Sequence, residues 1–220
     1  MILRRSPRFT ELKAEIDRGE FGDVYYLEGD YLHEILWKIT SGWRGKMDFY
    51  CVTYGGGIHL IDLMRWLLGQ EVTEVCGMGV DIMTRGTTYR WPDTITNLLR
   101  FESGAVAKTT TSLGVKRPHF HALSVFGSRK TFVNDTGAAR LYDGDKPENV
   151  TAVETPYPGI GKGVLLHDFV SAIRERREPL VTAHDVFRVM DVCFACWESV
   201  ETLRRPVCRP PCPFAPESNP

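Results

Sequence analysis

The 220-residue sequence predicts an α+β fold: a mostly antiparallel, open β-sheet with helices packed on one of its faces. Apolar residues recur at helical spacing near the start, in the middle and at the end of the chain. Between residues 94 and 133 they alternate instead, and two turns there carry glycine. Strands joined as hairpins pair antiparallel, and helices grouped outside such a meander cover one face of its sheet.

Ser6 caps a first helix, Pro7 suits its first turn, and Phe9, Leu12 and Ile16 give it a buried face before Gly19 ends it. Asp23 to Tyr31 alternates as a strand rich in Tyr and Val. Residues 32–50, with His33, Lys38, Trp43, Arg44, Lys46 and Asp48, keep no clean period, and a loop of that length in a compact domain is more often functional than idle. Tyr54-Gly55-Gly56-Gly57 leads into the central helix, which ends at Gly69, the position past a helix end that needs positive φ. Val72 to Met83, Thr94 to Phe101 and Ala105 to Leu113 read as strands, the last two joined across Glu102-Ser103-Gly104. His119 to Phe126 and Lys130 to Val133 form a second hairpin, and Ala139 to Tyr142 adds a short strand. Residues 145–162, rich in Pro, Gly and Thr, read as a surface connection. Leu166, Phe169, Val170 and Ile173 place the next helix, and Thr182-Ala183-His184-Asp185 opens the last one, to about Arg204, with a capping box. Residues 1–205 thus form one domain, and residues 206–220 are a Pro-rich tail that cannot be helix. The sheet face away from the helices carries Thr109, Thr111, Leu99, Phe101 and Val125 or their alternates, and is solvated or paired with a second subunit.

Composition narrows the function. A net charge of −1 implies neither a nucleic-acid nor a membrane partner, no apolar run reaches transmembrane length, and the start has no signal-peptide core, which together imply a cytoplasmic protein. Cys193-x-x-Cys196 and Cys208-x-x-x-Cys212 have the count for a zinc site, but Val186, Val189, Met190, Cys193, Cys196, Val200 and Leu203 make one apolar stripe, so the helix cysteines read as core and no metal is expected.

The central helix keeps one polar stripe, His59, Asp62 and Arg65, at a spacing that shares a face. A neutral imidazole suits removal of a hydroxyl proton. Asp62 either orients that ring or forms a structural pair with Arg65. Tyr54 either hydrogen-bonds a substrate hydroxyl or packs, and His119 and His121 alternate so that both face one side, lining a cleft or the surface. Lys38, Trp43 and Arg44 are candidates for binding a polar or phosphorylated substrate.

Gly-Gly-Gly-x-His-x-x-Asp-x-x-x-Trp-x-x-Gly, from Gly55 to Gly69, resembles the central helix of the glucose–fructose oxidoreductase / inositol dehydrogenase / MocA family of nicotinamide-dependent sugar and polyol oxidoreductases. Leu99 to Gly104, Val125 to Thr131 and Glu178 to Asp185 resemble later segments of its C-terminal domain. The resemblance implies that His59 acts in proton transfer, with Asp62 matching the acid three residues on. It also implies a sugar or polyol substrate, NAD or NADP as cofactor, and a homo-oligomer paired through the sheet. Many members carry an Asp four residues before the His, where this chain has Gly55. The family's Gly-x-Gly-x-x-Gly nucleotide-binding half and its Glu-Lys-Pro lysine are not found in these residues. The expectation is therefore the substrate-binding and oligomerisation half of such an enzyme, inactive by itself, or else a non-catalytic binding module derived from it.

Overall fold

The fold is seen in a computed structural model, which describes residues 1–136, 138–157 and 163–202. One eight-stranded sheet runs in the order β2-β3-β4-β1-β5-β6-β7-β8. The strands are β1 (Val24–Leu32), β2 (Val72–Val80), β3 (Thr94–Phe101), β4 (Val106–Ser112), β5 (Phe120–Gly127), β6 (Thr131–Asp135), β7 (Ala138–Tyr142) and β8 (Val150–Val153). The helices are α1 (Pro7–Asp17), α2 (Trp37–Thr40), α3 (Ile58–Leu68), α4 (Gly163–Glu175) and α5 (Ala183–Thr202). All strand neighbours are antiparallel except β1 and β4, which run parallel. β8 falls within the stretch read from sequence as a plain connection.

Helices α1, α3 and α5 lie on one face. Leu27, Leu99, Phe101, Ala107 and Val125 from the sheet share a core with Phe9 and Leu12 of α1, Leu60, Ile61, Met64 and Leu67 of α3, and Cys193 and Cys196 of α5. Thr109, Thr111, Leu99, Phe101 and Val125 are therefore the covered set, and their alternates, among them Leu98, Arg100, Lys108 and Thr110, form the open face. Gly29 admits α3, because a β-carbon there would come within 2.6 Å of the Met64 methyl carbon. Gly69 takes φ 62° and ends α3 as its position requires. Thr182 and Asp185 complete the capping box at α5: the Asp185 N–H donates to Thr182 Oγ1 at 3.1 Å, and the Thr182 N–H donates to Asp185 Oδ2 at 2.9 Å.

One expectation fails. The Ser6 side chain makes no cap bond at α1, whose Thr10 N–H is met instead by the Ser6 carbonyl. On α4, Leu166, Phe169, Val170 and Ile173 face outward and are exposed, while Ala172 is buried. The periodicity locates the amphipathic helix correctly, and nothing among the described residues covers its apolar side. The glycine-rich segment at residues 159–162, the end of the last helix beyond Thr202, Cys208, Cys212 and the tail lie outside the described residues.

Candidate active site

Two strand ends and one helix start build a cluster of imidazoles. β1 and β5 pair with Tyr31 opposite His121, which puts both on the helix-covered face, and His33 and His119 follow just past the strand ends. Above them α3 begins with a π-helical turn, Thr53–Gly57, in which Gly56 lies on the Tyr31 ring and Gly57 on Thr111. A β-carbon at position 56 would come within 2.6 Å of the Tyr31 ring, so glycine lets the helix settle low enough for His59 to reach the sheet. Four of the six histidines meet there. The Tyr31 ring centroid lies 6.1, 6.0, 5.2 and 5.2 Å from those of His33, His59, His119 and His121. His33 stacks on His119 at 4.2 Å, and His59 meets His121 edge-on at 5.7 Å.

Burial sets the protonation. It holds His59 down to about 4 and His121 down to about 3, and for His121 the neighbouring imidazoles push the same way. His33 is held to about 4 by burial, His119 and Lys38. At neutral pH the cluster is uncharged and its ring nitrogens with lone pairs can accept protons. The His59 ring is bordered by Tyr31 and His121, and no hydrogen bond among the described residues engages its nitrogens. The hydroxyl of Tyr157 accepts the His121 backbone N–H at 3.1 Å and lies 2.8 Å from His121 Nδ1.

The other residues singled out from sequence divide. Lys38 borders His33 and His119, lowering both. Arg44 stacks over Trp43 at 4.4 Å and lies near Tyr50. Tyr54 packs, its ring against Phe49 and Phe194 at 5.8 and 5.4 Å. Asp62 neither pairs with Arg65 nor hydrogen-bonds His59. It is fully buried and accepts Arg4 Nε and Nη2 at 3.0 and 2.6 Å, with the Met1 amino nitrogen 2.8 Å away. Arg65 instead grips Glu71 at 2.9 and 2.5 Å. The stripe thus splits between functions: His59 faces the cluster, while Asp62 and Arg65 serve an ion network beside a polar cavity of about 330 Å³ lined also by Lys13, Trp66 and Asp185. Cys193 and Cys196 are free, buried thiols, and no group of metal-ligating side chains is found among the described residues. Tyr31 and Tyr157, absent from the sequence reading of the site, are central to it. Tyr31 and His33 do alternate across the end of β1, which was a usable signal; Tyr157 left none.

The GFO/IDH/MocA C-terminal domain model matches residues 9–133, more than half of the chain. The chain belongs to the GFO/IDH/MocA family. Among curated oxidoreductases of related sequence, it is 28% identical over 139 residues to the uncharacterized oxidoreductase YrbE of Bacillus subtilis, covering 60% of this chain and 38% of that one. Among solved structures, levoglucosan dehydrogenase in complex with NADH and levoglucosan superposes with a TM-score of 0.75 at 22% identity, over 91% of this chain and 63% of the other. The aldose-aldose oxidoreductase of Caulobacter crescentus, complexed with glycerol, gives 0.75 at 20% identity over 91% and 60%. This GFO/IDH/MocA chain therefore spans about three fifths of the length of its solved structural relatives and less of the curated one. No helix among the described residues is long and apolar enough to cross a membrane.

Proposed function

We propose that this chain is the substrate-binding and oligomerisation half of an NAD- or NADP-dependent sugar or polyol oxidoreductase, with His59 as its proton acceptor. The observation that carries this reading is a neutral imidazole with no hydrogen-bond partner among the described residues, set into a cluster whose neighbours are also neutral. A bound nicotinamide would supply the hydride acceptor for a carbinol carbon. His59 takes the hydroxyl proton, so that C–OH becomes C=O and the imidazole becomes imidazolium. Tyr31 and His121 border the His59 ring and limit its orientation. The His59 imidazole beside Tyr31 and His121 supplies the substrate side of that reaction.

Two features support a second portion of the enzyme carrying the cofactor. The chain spans about 60% of its solved relatives, one of which holds NADH. The outward stripe on α4, Leu166, Phe169, Val170 and Ile173, has the character of an interface. The four free cysteines among the described residues suit a reducing, cytoplasmic setting. A non-catalytic reading is favoured by one observation: a β-carbon at Gly55 would overlap the Tyr50 hydroxyl, so no carboxylate stands in the turn before His59. Fusion or co-expression with a cognate nucleotide-binding domain, followed by sugar-dependent nicotinamide reduction, decides between them. The expected result is turnover that His59→Ala lowers by at least about a hundredfold. Turnover unchanged by that substitution removes His59 from the mechanism, and no turnover with any sugar or polyol supports the binding module.

A further inference from the structure

We propose that the site takes an anionic sugar, a sugar carboxylate or a sugar phosphate, held by Lys38 and Arg44 at the rim of the histidine cluster. This deepens the reading of the site as a sugar-binding one and rests on it. In the segment between β1 and the π-helical turn, Arg44 lies 5.8 Å from the Tyr50 ring centre, whose hydroxyl borders Gly55 of that turn, and Lys38 lies close enough to His33 and His119 to lower both. Both side chains are partly buried. Other partly buried cations have an acceptor: Arg8 has Asn134 and two backbone carbonyls, Lys108 has Asp30, Arg117 has Asp135, Lys130 has Glu20 and Arg188 has Glu71. For Lys38 and Arg44 no carboxylate or carbonyl acceptor is found among the described residues.

Nearby carboxylates do not supply the missing charge. Asp62 is closed by Arg4, Glu34 is paired with Lys116, and Asp48, on the same segment, is exposed and in no ion pair among the described residues. The imidazoles are neutral, so these two positive charges border the cluster without an anion among the described residues. A partly desolvated cation without a counter-charge is costly, and a bound anion removes that cost. Trp43, 63% exposed, lies under the Arg44 guanidinium at 4.4 Å, a cation–π contact that leaves the N–H donors available to a carboxylate or phosphate. Trp37, 60% exposed, similarly backs Lys38, whose ammonium nitrogen is 5.8 Å from its ring centre.

Calorimetric titration of the 220-residue chain with glucose, gluconate, glucuronate and glucose 6-phosphate tests this. The anions are expected to bind at least about tenfold more tightly than glucose. That advantage should shrink at about 0.5 M salt and fall about tenfold in each of Lys38→Gln and Arg44→Gln, with the far-ultraviolet spectrum unchanged. The tighter of the carboxylate and phosphate arms names the class. Glucose binding as tightly as the anions, an anion advantage that survives in the double variant, or no binding of any of the four overturns the proposal. The oxidoreductase reading is judged separately: a fused enzyme that oxidises neutral polyols through His59 but not sugar acids or phosphates keeps that reading and rejects this one.

Discussion

The Tyr157 hydroxyl holds His121 by two atoms, lying 3.1 Å from its backbone nitrogen and 2.8 Å from its ring Nδ1. Because the oxygen accepts the backbone N–H, its own proton is free to go to Nδ1, and the ring proton of neutral His121 then resides on Nε2. Burial pushes the Tyr157 phenol up to about 12, so it stays a donor throughout the working pH range. Tyr157→Phe should cost about 1–2 kcal/mol in urea unfolding and let the His121 tautomers mix. Nitrogen chemical shifts of His121 report the second effect, and an unchanged single tautomer would show that something else fixes the ring.

Arg4 and Asp62 make the other decisive contact, with both side chains withdrawn from solvent and two hydrogen bonds between them. Arg4→Ala leaves a buried carboxylate without its guanidinium and should destabilise the chain by about 3–5 kcal/mol. The double change Arg4→Met with Asp62→Leu should recover most of that loss. Chemical denaturation of the single and double variants measures both, and a double variant no more stable than Arg4→Ala would mean that the pair has a role beyond charge balance.

Acid should loosen the fold through the histidines. His59 and His121 titrate near 4 and 3 in the fold, against an ordinary value of 6.5. Between those limits the unfolded chain binds more protons, so stability rises with pH across the window. It is whole above about pH 6.5 and drains as the pH falls toward 4. Each buried histidine contributes a slope of at most about 1.4 kcal/mol per pH unit. Thermal midpoints from pH 7 to 4.5 should therefore fall, and less steeply in His121→Asn. Equal slopes in the two proteins would assign the acid sensitivity to other groups.

The open sheet face predicts self-association. Cys76, Met78, Val80 and Leu98 stand exposed on β2 and β3 beside Thr96 and Thr110, which meet each other at 3.2 Å. This uncharged patch, beside the Arg100–Glu74 and Lys108–Asp30 pairs of the same face, suits sheet-on-sheet pairing of two copies, burying on the order of 2,000 Å² if obligate. Light scattering after size exclusion should give a dimer or larger, and Leu98→Arg should shift it to a monomer with an unchanged circular dichroism spectrum. A wild-type monomer persisting at high concentration would reject the pairing.

Local chemistry was legible in the sequence. The Glu102-Ser103-Gly104 turn, the Gly69 stop and the Thr182–Asp185 cap each follow from residues within a few positions of one another, and each stands where expected. His119 and His121 were also recognisable as a pair on one side of a strand. That they meet Tyr31 and His59 depends on β1 lying beside β5, a pairing across about ninety residues that no local pattern encodes. Asp62 was assigned to a neighbour one helical turn away, but its partner is Arg4, 58 residues distant. The α4 stripe shows the opposite limit: periodicity reveals that a helix has an apolar side, not what lies against it.

The parallel seam between β1 and β4 ties the order of assembly to the histidine cluster. β2, β3 and β4 form one meander and β5 to β8 another, each paired between strands that are neighbours in sequence. β1 joins them, and it comes from the chain's beginning, Tyr26 pairing with Val106 on one side and Phe126 on the other. Loop closure over such separations is slow compared with hairpin formation, so β1 is expected to insert late in folding. The strand that completes the sheet also delivers Tyr31 and His33. A chain stalled before that insertion would hold most of its secondary structure and have no site, and any ligand of the cluster would pull the final step of folding forward by mass action.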